Sequence, residues 1–339
     1  MPHRAATTTD GPRFGVVLPG RETVIAQNHY ARHLAGLSAL AEESGYDSIW
    51  AGESPLARSR MDPLLALAAA SAVTARVELG TAVLLPLRSP VQLAHELACL
   101  DRLSGGRLVA GVGAGFRSAA TEAEFTAYGV PFKERVGRLA ETAEICRLLW
   151  TSQGKPVSYR GKYHRIDDVV LLPVPERPGG PALWLAGATD FALRRAGTGY
   201  AGWMPTSTTA AEFAEGWTKV QEAAAEAGRT AEEVTPAVYL TIAVDEDAER
   251  AERTLQDFVG SYYRLDLPTM RTTQGIYGGT ARQVAEWVQG YLDAGARHVV
   301  FRLATSDLGE ESYRAAMHRI AGELLPSLRR PLSQPVGVG

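Results

Sequence analysis

Four short groups of residues combine a type and a spacing that could support chemistry: Gly52-Glu53-Ser54, Thr81-Ala82-Val83, Gly111-Val112-Gly113-Ala114-Gly115 and Gly187-Ala188-Thr189-Asp190, with Arg194 about one turn beyond the last. Each closes a short apolar run. At the end of the second strand Glu53 and Ser54 are the candidate catalytic groups, polar side chains placed where a reacting carbon would lie. The paired carboxylates of glycoside hydrolysis are missing. The 7 His are scattered, and no His, Cys, Asp and Glu fall at metal-ligand spacing, so no metal is expected. What remains is bare main chain. Runs of Gly, Ala and Thr suit a flat bound cofactor that brings its own reactivity, the protein supplying shape and orientation.

Gly187-Ala188-Thr189 leads into a helix, where free N–H groups and the helix dipole favour an anion. With Arg194 it reads as a phosphate site; the competing reading is an ordinary cap, Thr189 capping and Arg194 facing solvent. Gly113 and Ala114 read as a contact for an aromatic ring, or as a plain turn from strand to loop. A dinucleotide loop fits poorly there, because the helix it should open is delayed by more than about a dozen residues. Glu53 and Ser54 could equally be a loop-capping pair. Trp50, Trp184 and Trp203 are read as core aromatics.

The elements that position these groups repeat. Strands are expected at Phe14–Leu18, Tyr46–Ala51, Val77–Val83, Arg107–Val112, Ala182–Ala186, Tyr200–Trp203, Val234–Val244 and Ala296–Leu303. The first four start at a period of about 30, the size of one βαβ unit. Amphipathic helices fall between, among them Ser89 to Leu103, with Leu93, Leu97 and Leu100 on one face, and Phe132 to Trp150. Asp62-Pro63 opens another, as N-cap and first-turn proline. Eight such repeats imply a (β/α)8 TIM barrel of about 250 residues plus roughly 90 in insertions, with an open doubly wound sheet as the competitor. In a barrel the chemistry sits at the carboxyl ends of the strands, the eighth of which ends near Arg302.

The domain organisation follows. Residues 1–12 read as a disordered tail, 13–326 as one barrel domain, and 327–339 as a flexible tail. Insertions follow strands 4 and 7, at 151–181 (a Pro/Gly-rich excursion with a hairpin) and 263–278 (containing a Thr-rich polar loop, Leu267 to Tyr277). Phe116 to Pro131 reads as a long loop. A net charge of -3 with mixed signs points away from nucleic acid and membrane surfaces and toward a small-molecule partner. Cys99 and Cys146 sit in apolar helical patterns as reduced thiols, so a cytoplasmic location is expected. The first twelve residues lack a signal-peptide core, and the longest apolar run is too short to span a bilayer.

Leu79-Gly80-Thr81-Ala82-Val83 with Arg88-x-Pro90, Leu100-Asp101-x-Leu103-Ser104-Gly105-Gly106-Arg107-Leu108, the Gly111 to Gly115 run, Gly129-Val130-Pro131-Phe132 and Arg135-x-x-Arg138-x-x-Glu141 together resemble the bacterial luciferase-like oxidoreductases. The resemblance runs from about Phe14 to Arg302. It implies a barrel enzyme that binds FMN or the deazaflavin coenzyme F420 at the carboxyl end, a non-prolyl cis peptide at Ala82-Val83 against the ring, and a homodimer. Gly202-Trp203-Met204-Pro205, and the absence of Ser and Gly-Arg after Gly187, resemble the F420 branch, in which Arg194 falls at a phosphate-binding basic position. Two departures stand out. Glu53-Ser54 replaces the usual Asp-His or Glu-His, and Phe116 replaces the Glu of the sugar-phosphate dehydrogenases. Both remove proton-transfer groups. The resemblance therefore implies hydride transfer with an apolar or extended substrate; an FMNH2-dependent monooxygenase and a non-catalytic ligand-binding barrel are the alternatives.

Overall fold

Strands covered on both faces leave no apolar edge exposed only if the sheet closes on itself, and here it does. The computed structural model describes residues 11–25, 27 and 31–329. Its parallel strands are β1 (Arg13–Val17), β2 (Ser48–Ala51), β3 (Glu78–Thr81), β4 (Leu108–Val112), β5 (Ala182–Leu185), β6 (Gly202–Trp203), β7 (Thr235–Val244) and β8 (His298–Leu303). Neighbours pair in chain order. β6 meets β7 at Gly202↔Thr235, and β8 returns to β1 at Phe14↔Val299, which completes a (β/α)8 barrel. Every residue of β2, β4 and β8 is buried.

The barrel interior is filled by Val17, Trp50, Val109, Trp184, Met204 and Val300. Trp50 and Trp184 lie 5.2 Å apart between ring centroids, and His298 stands edge-on to both. Glycines make room for them. A Cβ on Gly80 would come within 2.2 Å of the Trp50 ring, and one on Gly202 within 2.5 Å of Trp184. Ser48 Oγ accepts from Trp50 Nε1 at 2.8 Å and shares a 2.7 Å bond with His298 Nε2. Burial holds the His298 imidazole well below its usual range, so it is neutral filler here.

Three segments depart from expectation. Within Phe116 to Pro131 lies a helix, Ala119–Ala127, whose N-cap Ser118 accepts from Thr121 N and whose Phe125 is fully buried. Within Leu267 to Tyr277 lie a helix, Leu267–Arg271, capped by Asp266, and the start of a strand, Ile276–Gly279, which pairs parallel with Thr241–Val244. The terminal helix does not stop at Pro326. A π turn, Ile320–Leu324, widens the backbone just before the proline, which tolerates the missing N–H, and helix continues over Leu325–Arg329. Arg329 then donates to Gly45 O at 2.6 Å and Asp47 Oδ2 at 2.9 Å. The tails expected at 1–12 and 327–339 otherwise lie largely outside the described residues.

The excursion after β4 is an antiparallel hairpin, Val157–Arg160 with Arg165–Val169. Cys99 and Cys146 are free thiols, the latter pushed up to about 12 by burial. Among the described residues no helix is long and apolar enough to cross a membrane.

Two outcomes follow. Gly80→Ala should lose about 1–3 kcal/mol in urea unfolding, because the Trp50 ring cannot retreat; an unchanged midpoint would refute the interlock. At the end of β7, Asp245 accepts from Arg250, from Asp247 N at 3.0 Å, and pairs with Arg319 at 3.2 Å. The Arg250 contact above all holds its carboxyl below the usual range. A carboxylate with a depressed folded value stabilises above its unfolded value of about 4 and loses that contribution as pH falls. Asp245→Asn should therefore be less stable than the parent at pH 7, with the gap closing on acidification; a gap constant with pH would contradict this.

Candidate active site at the barrel mouth

β3, β4 and β5 form one wall of the mouth. The Ala82–Val83 peptide is cis, as the family resemblance implies. The crossing from 81 to 84 is clamped to β4: Thr81 Oγ1 donates to Gly111 O at 2.7 Å, Leu84 N to the same oxygen at 2.8 Å, and Gly113 N to Leu84 O at 2.9 Å. The two glycines are required by close approach. A Cβ on Gly111 would lie 2.0 Å from Thr81 O, and one on Gly113 would lie 2.6 Å from Val83 Cγ2 and 3.4 Å from Ala186 Cβ. Thr81 and Gly113 are therefore buried behind the wall, whereas Ala82, Val83 and Ala114 are half-exposed on it.

Glu53 braces this wall from outside. Its side chain is 2% exposed; Oε2 accepts from Leu85 N at 2.6 Å, and Oε1 from Arg88 Nε at 3.1 Å and Nη2 at 3.0 Å. Burial pushes the carboxyl upward, opposed by Leu85 N–H and Arg88. Arg88 also reaches Asp62 and, at 3.1 Å, Glu96. Both Glu53 oxygens are thus spent on holding residues 85 to 88. Ser54 is similarly engaged: its Oγ accepts from Arg58 N at 2.9 Å and donates to Glu124 Oε1 at 3.2 Å. Glu124 accepts from Leu56 N and Ala57 N as well. The loop-capping reading of this pair fits the geometry.

At the end of β5, Gly187, Ala188 and Thr189 are exposed, with Gly187 at φ +125° and its carbonyl accepting from Trp203 Nε1 at 2.8 Å. Thr189 Oγ1 caps the helix Asp190–Gly199 through Ala192 N at 3.3 Å. Arg194 does not join them. It is 70% exposed and pairs with Glu226, the last residue of the neighbouring helix Ala210–Glu226, at 3.6 Å.

The remaining side of the mouth holds Arg302, placed by the sequence at the end of the eighth strand without a role, and partners that the sequence did not single out. Arg302, 1% exposed, pairs with Glu22 at 2.7 Å, donates through Nε to Tyr239 Oη at 3.3 Å and bonds the Tyr262 hydroxyl. Glu22 secures its charge against the cost of burial. Tyr239 packs in the same interior cluster as Ala82 and Val83. A charged residue following the apolar run Val299–Phe301 of β8 was the signal available. At the opposite end of the barrel a cavity of about 360 Å³ lies beside Arg147, Tyr200 and Arg229. Those arginines are occupied in capping helix and loop carbonyls at Gly199, Gly197 and Tyr200, so that hollow is a by-product of helix termination.

With its candidate acid and hydroxyl committed to bracing loops, a mouth lined by bare main chain calls for a borrowed reactive group, which sets the chain among the cofactor-dependent (β/α)8 barrels. It belongs to the luciferase-like monooxygenase family, matching it over residues 12–304. It is similar to F420-dependent glucose-6-phosphate dehydrogenases of Nocardia farcinica, 29% identical over 90% of this chain and 96% of that one, and of Kineococcus radiotolerans, 31% identical over 81% and 88%. Among solved structures, the monooxygenase RslO1 from Streptomyces bottropensis superposes with a TM-score of 0.79 at 25% identity, covering 93% of this chain and 99% of that one.

If Glu53 is the brace, Glu53→Ala leaves the buried Leu85 N–H without its acceptor and takes one of three carboxylate partners from Arg88, and should cost about 1–3 kcal/mol. Chemical denaturation measures it; a loss below about 1 kcal/mol would mean that the loop holds without the carboxylate.

Proposed function

We propose that this protein is an oxidoreductase that moves a hydride between coenzyme F420 and a small organic substrate at the barrel mouth. The observation that carries the reading is the half-exposed Ala82–Val83 wall clamped to Gly111 and Gly113, in a chain similar over most of its length to F420-dependent glucose-6-phosphate dehydrogenases. When bound, the deazaflavin supplies hydride chemistry that no side chain of this mouth offers.

In this reading Ala82, Val83 and Ala114 form the back of the ring seat, and Thr81 and Gly113 hold that back in place. The exposed amides at Gly187, Ala188 and Thr189 receive the phosphate at the helix end. Arg194, turned to Glu226, takes no part in it. Glu53 and Ser54 act as positioning residues. Tyr239 Oη, which accepts from Arg302 Nε, is the hydroxyl placed to exchange a proton with the substrate. Two free thiols support a reducing cytoplasm, and family resemblance supports a homodimer.

The second reading is a reduced-FMN monooxygenase; the likeness to the monooxygenase RslO1 supports its oxygenase part. Anaerobic fluorescence titrations separate the two. F420 should bind at least about tenfold more tightly than FMN, and Arg194→Ala should leave the F420 affinity within about twofold. Tighter FMN binding with oxygen consumption by the reduced flavin would overturn the assignment, and binding of neither would favour a non-catalytic barrel.

A further inference from the structure

The mouth opposite β5 carries positive charge that hydride transfer alone does not use. Arg21 follows β1, Arg58 and Arg60 follow β2, and Arg302 lies near the end of β8, so four guanidiniums come from three adjacent strands. They gather on two rings. Arg302, Arg21 and Arg60 lie 4.8, 5.2 and 5.9 Å from the Tyr262 centroid, and Arg58 lies 5.2 Å from that of Tyr263. Glu22 is committed to Arg302. Arg21 gives its Nε to the Tyr262 carbonyl at 3.1 Å, and among the described residues no carboxylate forms an ion pair with Arg21, Arg58 or Arg60. Arg60 Nε is buried with no partner.

Stacking on tyrosine does not account for this arrangement. A cation over an aromatic ring gains less than it costs to gather partly buried like charges and leave a guanidinium N–H unsatisfied. Burial, with repulsion from Arg60 and Arg58, draws the Arg21 value down against the pull of Tyr262 and Glu22. The arrangement is favourable once an anion arrives, and planar guanidiniums match the paired oxygens of a carboxylate or phosphate.

The position of Arg60 says whose anion it is. A Cβ on Gly52 would lie 2.1 Å from Arg60 Nη1 and 3.2 Å from Ala82 O, so this guanidinium borders the cofactor wall. In a closed ring of eight strands β1 stands across from β5, where the cofactor phosphate is assigned. We propose that Arg21, Arg58 and Arg60 form a subsite for the carboxylate or phosphate of an anionic organic substrate. Its assignment to substrate rather than cofactor rests on the reading of the mouth given above. It departs from the apolar or extended substrate that the sequence suggested.

The test uses full-length protein. Without cofactor it is titrated calorimetrically with inorganic phosphate and with malonate against chloride at matched ionic strength; F420 is titrated separately by fluorescence. Arg60→Gln and Arg58→Gln are treated alike, with circular-dichroism melts confirming their fold; should Arg60→Gln fail to fold, Arg58→Gln, whose side chain has no hydrogen bond to lose, carries the comparison. The expected result is saturable binding of at least one oxyanion by the parent, weakened at least about tenfold in the variants, with F420 affinity within about threefold. No saturable oxyanion binding, or an equal loss of F420 affinity, overturns the proposal. Oxyanion binding that depends on Arg60 in a protein that fails to bind F420 upholds the subsite and defeats only the cofactor assignment.

Discussion

A carboxylate sealed from water must keep its partners, because the cost of an unpaired buried charge exceeds what most single contacts return. Glu53 imposes that condition on the mouth of this barrel. Its oxygens are filled by Leu85 N and Arg88, and Arg88 in turn reaches Asp62, which caps the helix Pro63–Ser71, and Glu96 on the helix Pro90–Leu103. The end of β2, the segment after β3 and two helices are thereby tied together behind Ala82 and Val83. On the inner side Gly111 and Gly113 allow β4 to approach the same segment, so the peptide is fixed from both faces. Rigid main chain at a strand end is what a flat cofactor needs from its protein.

The electrostatics of the mouth divide it in two. The β5 side offers helix-end amides and no committed cation, Arg194 being paired outside. The β1, β2 and β8 side gathers arginines around Tyr262 and Tyr263. Between them Tyr239, hydrogen-bonded to Arg302, shares the interior with Ala82 and Val83. A cofactor with its phosphate on one side and an anionic substrate on the other would meet over the wall with little competition for charge.

The barrel was legible because its strands are apolar runs at a steady period, and the Asp62-Pro63 helix start is a local signal. Ala119–Ala127 was hidden by its shortness and polarity, and Ile276–Gly279 by the glycines that end it. Glycines were the least transparent feature. Gly80 and Gly202 serve the tryptophans inside, while Gly111 and Gly113 serve the crossing of β3, and nothing in their spacing tells the two uses apart. Glu53 and Ser54 were found by position but not by role, since only the fold reveals that their atoms are already spent. Arg21, the Arg58-x-Arg60 pair and Arg302 are distant in sequence and share no motif; the barrel alone brings the three groups together.

The most direct measurement is a crystal structure of the protein with coenzyme F420. The account predicts the deazaflavin ring against Ala82 and Val83, its phosphate at the amino end of the helix Asp190–Gly199, Glu53 still bound to Leu85 and Arg88, and Arg60 free of the cofactor. A ring seated away from that peptide, or a phosphate held by Arg21, Arg58 and Arg60, would contradict it.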